Sequence, residues 1–287
     1  MSHWPSTIAH RVVILAGLLQ FAMAFPTHGE QARHYAANHN FDASGHFAPM
    51  ESGFNLADVS RPSELDLLPQ GVLALVWIGR CTGVDDAFTQ LVSSYRGDAR
   101  VFGYYLMDDP DPTGRHGTPC AAEQLRDEAD WIHSVSPRAK TFMVLMNQGR
   151  AQHPRFDSVY RPENSHVDLF GISPYPCRSE LAGCDFGIIA RYVAAAEAAG
   201  VPRRQLVPTY QTFGGGSWRD DGGGTYRLPS TSAMQELLAE WDRWIARPAF
   251  DYAYSWGTQR GDRALENAPE LKALMSVHNA RRLPASD

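Results

Sequence analysis

Two adjacent carboxylates, Asp108 and Asp109, close the run VFGYYLMDDPDP between Val101 and Pro112. An apolar, aromatic-rich segment of strand length that finishes on two acids and a proline has two readings. The acids cap a turn, as Asp commonly does, or they stand at the rim of a site and move protons. Side chains alternate along a strand. Asp109 therefore shares a face with Val101, Gly103, Tyr105 and Met107, and Asp108 goes with Phe102, Tyr104 and Leu106. On that phasing Asp109 projects into the site, while Asp108 turns toward the following loop and orients its neighbours.

Other residues of the same chemical kind sit at the ends of other apolar runs. Asp42 and Asp58 are further carboxylates that could act as a base, with Asp220 and Asp221 of the stretch FGGGSWRDDGGG as outside candidates. Trp77, Tyr105, Tyr175, Tyr210 and Trp256 supply flat aromatic faces, and Asn147 and Gln211 supply amides. Aromatic faces stack on the apolar faces of sugar rings, and amides and acids bond hydroxyls. The inventory suits a neutral polyhydroxylated ligand better than a phosphate or a hydrophobic one. Trp218, inside the glycine-rich stretch, is a candidate lid residue. Asp168 lies near the start of its run, where a structural role is expected.

The elements that must position these groups alternate. Strand-length apolar runs cover 72–79, 101–107, 140–146, 166–173, 205–211 and 250–256, with two weaker ones at 36–41 and 53–60. Helical spacing falls between them, at 84–96, 120–135, 186–200, 230–246 and 265–279. Strands alternating with helices imply a parallel sheet. Eight such units in a chain of this length are the size of a single (β/α)8 TIM barrel occupying 32–287. An open doubly wound sheet is the rival, but it calls for a glycine-rich phosphate turn after an early strand, and none is present. In a barrel, function gathers at the C-terminal ends of the strands, which is where the acids, amides and rings above are found.

The formal net charge is −6 with the bases scattered, so neither nucleic acid nor a polybasic membrane contact is indicated. Near the start, His10 and Arg11 precede the apolar stretch VVILAGLLQFAMAF, and Ala22-Met23-Ala24 fits a small-x-small cleavage site. That order describes a secretory signal peptide over 1–24, with an end as late as about 31; a buried first element of the domain is the alternative. Export to the periplasm or the medium agrees with four cysteines. The short spacing CRSELAGC pairs Cys177 with Cys184 and leaves Cys81 for Cys120. A zinc site is the rival reading, but no C-x-x-C or closely spaced His pair supports it. A monomer without cofactor or metal is expected.

GYYLMDDP resembles the GYYLxDEP strand of secreted (β/α)8 glycoside hydrolases and their relatives. VDLFGISPYP resembles a VDxxGxDPYP strand of the same group, and FDYAYSWGTQ resembles their last strand. The resemblance implies a fourth-strand general acid/base at Asp109. It places Gln211 where a seventh-strand nucleophile often stands, and Ser173 where an Asp is common. A glycosidase needs one carboxyl to protonate the leaving oxygen and a second to attack or to activate water. With Gln211 at the nucleophile position an inverting enzyme is expected, with Asp109 as acid and Asp58 or Asp42 as base. Two alternatives stand beside it: a carbohydrate-binding barrel without turnover, and a metal-dependent hydrolase using Asp108 or Asp109 with His39 or His116.

Overall fold

The computed structural model describes residue 1 and residues 32–115, 119–219 and 223–281. The expected signal segment, His116, Asp220 and Asp221 lie outside the described residues. Eight parallel strands close on themselves: β1 (His34–Ala36), β2 (Leu56–Val59), β3 (Leu73–Trp77), β4 (Val101–Asp108), β5 (Lys140–Val144), β6 (Leu169–Ile172), β7 (Leu206–Gln211) and β8 (Asp251–Tyr254). β1 pairs with both β2 and β8, which closes the ring. The fold is the (β/α)8 barrel expected from the alternation. The first strand is a correction: it runs over 34–36, and most of the expected 36–41 is a loop in which Asn38 (φ 67°) and His39 (φ 52°) are left-handed. Asn and His adopt that region more readily than most residues, so the strand ends where the sequence allows a sharp turn.

The helices form the outer layer: α1 (Pro62–Leu65), α2 (Asp86–Ser93), α3 (Ala122–Val135), α4 (Pro162–Ser165), α5 (Gly187–Ala198), α6 (Thr231–Trp244) and α7 (Pro269–Asn279). Their starts follow ordinary capping chemistry. The Asp85 carboxylate accepts the Phe88 N–H at 2.7 Å, and the Ser230 hydroxyl accepts the Ala233 N–H at 3.2 Å. Apolar stripes such as Leu125, Ala129 and Ile132 of α3 are buried against the barrel.

The strands split their side chains between two cores. Tyr104, Leu106, Phe170, Tyr210 and Trp241 belong to the layer between sheet and helices. Tyr35, Leu56, Leu75, Tyr105, Phe142, Val207 and Tyr252 fill the barrel interior. Phe102 and Phe250 pack edge to face at 5.8 Å, and Phe250 packs against Phe142 at 5.0 Å, so aromatic rings stop the lower barrel. Gly103 is required by close approach: a Cβ there would lie 2.2 Å from the Lys140 carbonyl oxygen on β5.

The expected alternation of β4 fails near its end, and the failure relocates the acids. The register against β5 shifts between Tyr105 and Met107. An extra residue in one strand resets which side chains face inward. Leu106 and Met107 both pack toward the helix layer, and Asp108 returns to the interior face beside Tyr105. Asp109 then leaves the strand with φ 47°, its N–H donating to the Val144 carbonyl at 3.1 Å.

Disulfides join Cys81 to Cys120 and Cys177 to Cys184, with Cα separations of 5.4 and 4.3 Å. The first ties the loop after β3 to the start of α3, and the second closes the loop after β6. Among the described residues no helix is long and apolar enough to cross a membrane.

Candidate active site

A bowl of about 520 Å³ opens at the C-terminal ends of the strands, with Asp58 and Asp108 both in its wall. Asp58 is the third residue of β2, and its side chain is half-buried. Its Oδ2 accepts the Asn38 N–H at 3.0 Å, and the Tyr35 hydroxyl is a second donor. Asn40 fixes the same corner. Its side chain accepts the Asp58 N–H at 2.7 Å and donates to the Ala36 carbonyl at 2.9 Å. The loop after β1 is thereby pinned to β2, and one carboxylate is pinned with it.

Asp108 opens to the bowl, and the Tyr105 hydroxyl donates to its Oδ1 at 3.0 Å. Both acids hold protons more tightly than usual. Burial raises Asp58 to about 6 against the pull of the Asn38 and Tyr35 hydrogen bonds. Loss of surrounding water also raises Asp108, opposed by Tyr105. Tyr35, bonded to Asp58, also feels the charge of Asp108. The two carboxyls therefore share one electrostatic environment.

Rings wall the bowl. Trp77 meets Tyr105 edge to face at 4.7 Å, Tyr35 meets Tyr252 at 5.0 Å, and Tyr254 lies 6.0 Å from Tyr252. Burial pushes the Tyr35, Tyr105 and Tyr252 hydroxyls well above the usual phenol range, so they remain neutral donors. Tyr252 is 4% exposed and lines the bowl.

A second cleft of about 630 Å³ lies beside the first, lined by Asp109, Asn147, Ser173, Tyr175 and Tyr226 among others. Tyr175 stacks on Tyr254 at 6.0 Å with the planes 26° apart, so a pair of rings separates the two spaces. Trp218 packs behind Tyr254 and Phe213 under the Arg260 guanidinium, which lies 4.1 Å from its ring.

The sequence-based candidates divide accordingly. Asp58, Asp108, Trp77 and Tyr105 come together in the bowl, and Asp109, Asn147 and Tyr175 line the second cleft. The phasing that sent Asp109 inward and Asp108 outward is corrected by the bulge in β4. Asn147 is committed to its own loop, donating to the Tyr192 hydroxyl and accepting the Gly149 and Arg155 N–H groups.

Three expected ligand contacts lie elsewhere. Gln211 is fully buried and bonds the Cys177 N–H and the Cys177 and Arg227 carbonyls, so it knits two loops. Tyr210 faces the helix layer beside Asp251 and His278. Trp256, two residues beyond the end of β8, packs on Phe54 beneath α7 and is 3% exposed. Asp42 accepts the Ser44 and His46 N–H groups within its own turn. Asp168 behaves as expected at the opposite end. Burial works against its charge, but His133, Thr141 and Lys140 hold its carboxyl below the usual range.

Tyr35, Asn38, Tyr252 and Tyr254 were not singled out from the sequence. The signal was present in DYAY, where Tyr252 and Tyr254 alternate with Ala253 at strand period.

Among the described residues, the group whose donor atoms approach closely enough to hold a metal is His34, Asp251 and His278. It sits at the starts of β1 and β8, away from the bowl. Asp251 takes both its oxygens to His34 Nδ1, at 3.0 and 2.8 Å, which makes the cluster a clasp between the first and last strands and α7.

No family model matches the chain, and no curated protein matches its sequence. Solved structures match its architecture. A chitinase from Chromobacterium violaceum superposes with TM-score 0.54 at 13% identity, over 88% of this chain and all (100%) of its own. A fungal endo-β-N-acetylglucosaminidase of glycosyl hydrolase family 18 gives 0.53 at 11% identity, over 85% and 97%. An endo-β-1,3-glucanase of family GH128 from Sorangium cellulosum gives 0.50 at 12%, over 79% and 89%. At these identities the likeness is one of fold: the chain has the (β/α)8 barrel that these glycoside hydrolases use.

Proposed function

We propose that the protein is an exported glycoside hydrolase and that its bowl holds the sugar at the point of cleavage. The observation that carries this reading is the pairing of Asp58 and Asp108 in one aromatic-walled cavity, both with raised pKa. A carboxyl that holds its proton more tightly than usual suits protonation of a leaving glycosidic oxygen, and a second nearby carboxyl can activate water. Asp108, open to the cavity, is the proton donor. Asp58, held by the Asn38 amide and Tyr35, is the base. The faces of Trp77 and the tyrosines stack on the ring, and the Tyr252 hydroxyl donates to a sugar oxygen. Asp109 serves the neighbouring cleft, which would receive a further sugar unit. The likeness of fold to chitinases and a glucanase supports a carbohydrate substrate.

Reducing-sugar release from a panel of polysaccharides tests this. Asp108→Asn and Asp58→Asn are each expected to lower the rate on the order of 10²-fold or more. If Asp109→Asn carries the loss and Asp108→Asn does not, the acid is the residue before Pro110. A second reading, carbohydrate binding without turnover, draws on the burial of Gln211, which leaves the end of β7 without an acid in the bowl. Tight binding of a glycan with no product from it under any condition would favour that reading.

A further inference from the structure

The clasp at the far end of the barrel has the spacing of a metal site. His34 opens β1, Asp251 opens β8 and His278 lies in the last turn of α7, and all three are buried. The buried Tyr210 hydroxyl of β7 meets the same point. Three donor atoms form a nearly equilateral triangle. Asp251 Oδ2 lies 3.4 Å from His278 Nε2 and 3.3 Å from the Tyr210 hydroxyl, which lies 3.4 Å from His278 Nε2. Such edges are long for hydrogen bonds, which between a hydroxyl and an oxygen favour about 2.7–2.8 Å. They match the edge of a tetrahedron around an ion with arms of about 2.0–2.1 Å, which is about 3.3–3.4 Å. His34 Nδ1 is closer, 2.8 Å from Asp251 Oδ2, an ordinary hydrogen bond. Its ring would swing outward by about 0.5 Å to become a ligand. Donor atoms of the two histidines and the aspartate all lie within 4.8 Å of one another. A cavity of about 170 Å³ reaches the cluster. Of the two guanidiniums in its wall, Arg281 lies 3.9 Å from the Asp242 carboxylate, and Arg33 donates to the Gly71 carbonyl at 3.4 Å.

We propose that this cluster binds a zinc ion, held by His34 Nδ1, one oxygen of Asp251 and His278 Nε2, with the Tyr210 oxygen at the fourth corner. Two imidazoles and a carboxylate are a donor set that suits zinc, whereas magnesium and calcium prefer shells made of oxygen. The ion sits at the starts of the strands and takes no part in the bowl, so the inference is independent of the glycoside reading. Its role is structural. His34 and Asp251 are 217 residues apart in the sequence and belong to the two strands whose pairing closes the barrel. An ion there ties the first strand, the last strand and the last helix together, and closing so long a loop removes freedom from the unfolded chain. Because the unfolded chain has no such site, binding free energy becomes folding free energy. The outer ring nitrogens, His34 Nε2 and His278 Nδ1, are buried with no hydrogen-bond partner among the described residues. Neither ring has the outer carboxylate or carbonyl that usually orients a ligating histidine, a lack that costs about 10–100-fold in affinity. A Kd on the order of 1 μM is therefore expected, weaker than that of a fully supported zinc site.

The test uses the full chain with its disulfides intact, stripped by a chelator and dialysed into metal-free buffer at neutral pH. Zinc is then titrated by calorimetry, and thermal unfolding is followed with zinc or magnesium added. One zinc per chain is expected to bind, and a hundredfold excess over Kd should raise the melting temperature by about 5 °C or more. Magnesium at the same concentration should leave it unmoved. His278→Asn and His34→Asn should each weaken zinc binding about 10²-fold or more, beyond the cost of losing an outer-shell partner. His153→Asn, at an exposed loop position, should leave it unchanged. Far-UV circular dichroism checks that the variants fold. If neither ligand variant folds, X-ray absorption at the zinc edge of the wild-type complex replaces them. Scattering from two imidazoles with Zn–N near about 2.0–2.1 Å sustains the proposal, and a shell of oxygens alone overturns it. It is also overturned if the wild type takes up no zinc, if magnesium stabilises the fold equally, or if zinc binding survives both histidine substitutions.

Discussion

Glu128 provides the sharpest check on the electrostatics of this barrel, and its test does not depend on substrate. It lies on α3 with 0% exposure and accepts the Thr82 and Gly83 N–H groups at 3.0 and 3.1 Å through Oε1, while Oε2 has no hydrogen-bond partner. Burial raises its pKa from 4.5 to about 8, outweighing those two hydrogen bonds. Below about 4.5 the carboxyl is protonated whether the chain is folded or not, and pH has no leverage through this group. Between about 4.5 and 8 the unfolded chain releases the proton and the folded chain keeps it, so stability falls as pH rises. Above about 8 both states are ionised and the loss has reached its limit. One proton held differently changes stability by about 1.4 kcal/mol per pH unit. Over this window the loss is therefore on the order of 3–5 kcal/mol at most. Glu128→Gln keeps an acceptor for both N–H groups and removes the titration. It should leave stability nearly unchanged near pH 4.5 and raise it by a few kcal/mol near pH 8. Urea denaturation of both proteins across that range, with disulfides intact, measures the difference. Parallel stability curves at all pH values would refute the buried, protonated Glu128.

Other expectations follow from single contacts. Burial opposes ionisation of Asp251, but His34 and His278 outweigh it and hold the carboxyl at about 2. Its stabilising charge is present above the ordinary carboxylate range and lost as pH falls toward about 2, and Asp251→Asn should cost about 3–5 kcal/mol in denaturant unfolding at neutral pH. Gly103→Ala places a Cβ against the Lys140 carbonyl; a fall in stability of about 1–3 kcal/mol or more is expected, read as a lower melting temperature. Asp58, raised by burial to about 6, costs stability as pH rises from its ordinary range through 6. Asp58→Asn should therefore stabilise the fold at neutral pH by on the order of 1–2 kcal/mol while lowering turnover on the order of 10²-fold or more. With Asp58 as the base, kcat/KM should rise as pH increases through about 6, and an acid limb unmoved by Asp58→Glu would contradict that role.

Much of this molecule was legible in one dimension. The alternation of strand-length and helix-length segments implies a parallel sheet, because each strand needs a helix to return the chain and cover its outer face, and eight such units are the size of a closed barrel. Cysteine spacing gave both disulfides, and two of the acids read at strand ends, Asp58 and Asp108, line a cavity at the C-terminal rim. Local patterns carry such information because period and spacing are properties of the chain itself. Tertiary structure alone decided which acid faces inward. A single extra residue between Tyr105 and Met107 reverses the phase, and only pairing with β5 reveals it. Gln211 and Trp256 look like ligand contacts in the sequence and are core in space. Burial depends on neighbours remote along the chain, so the fate of a polar side chain is settled when the ring closes.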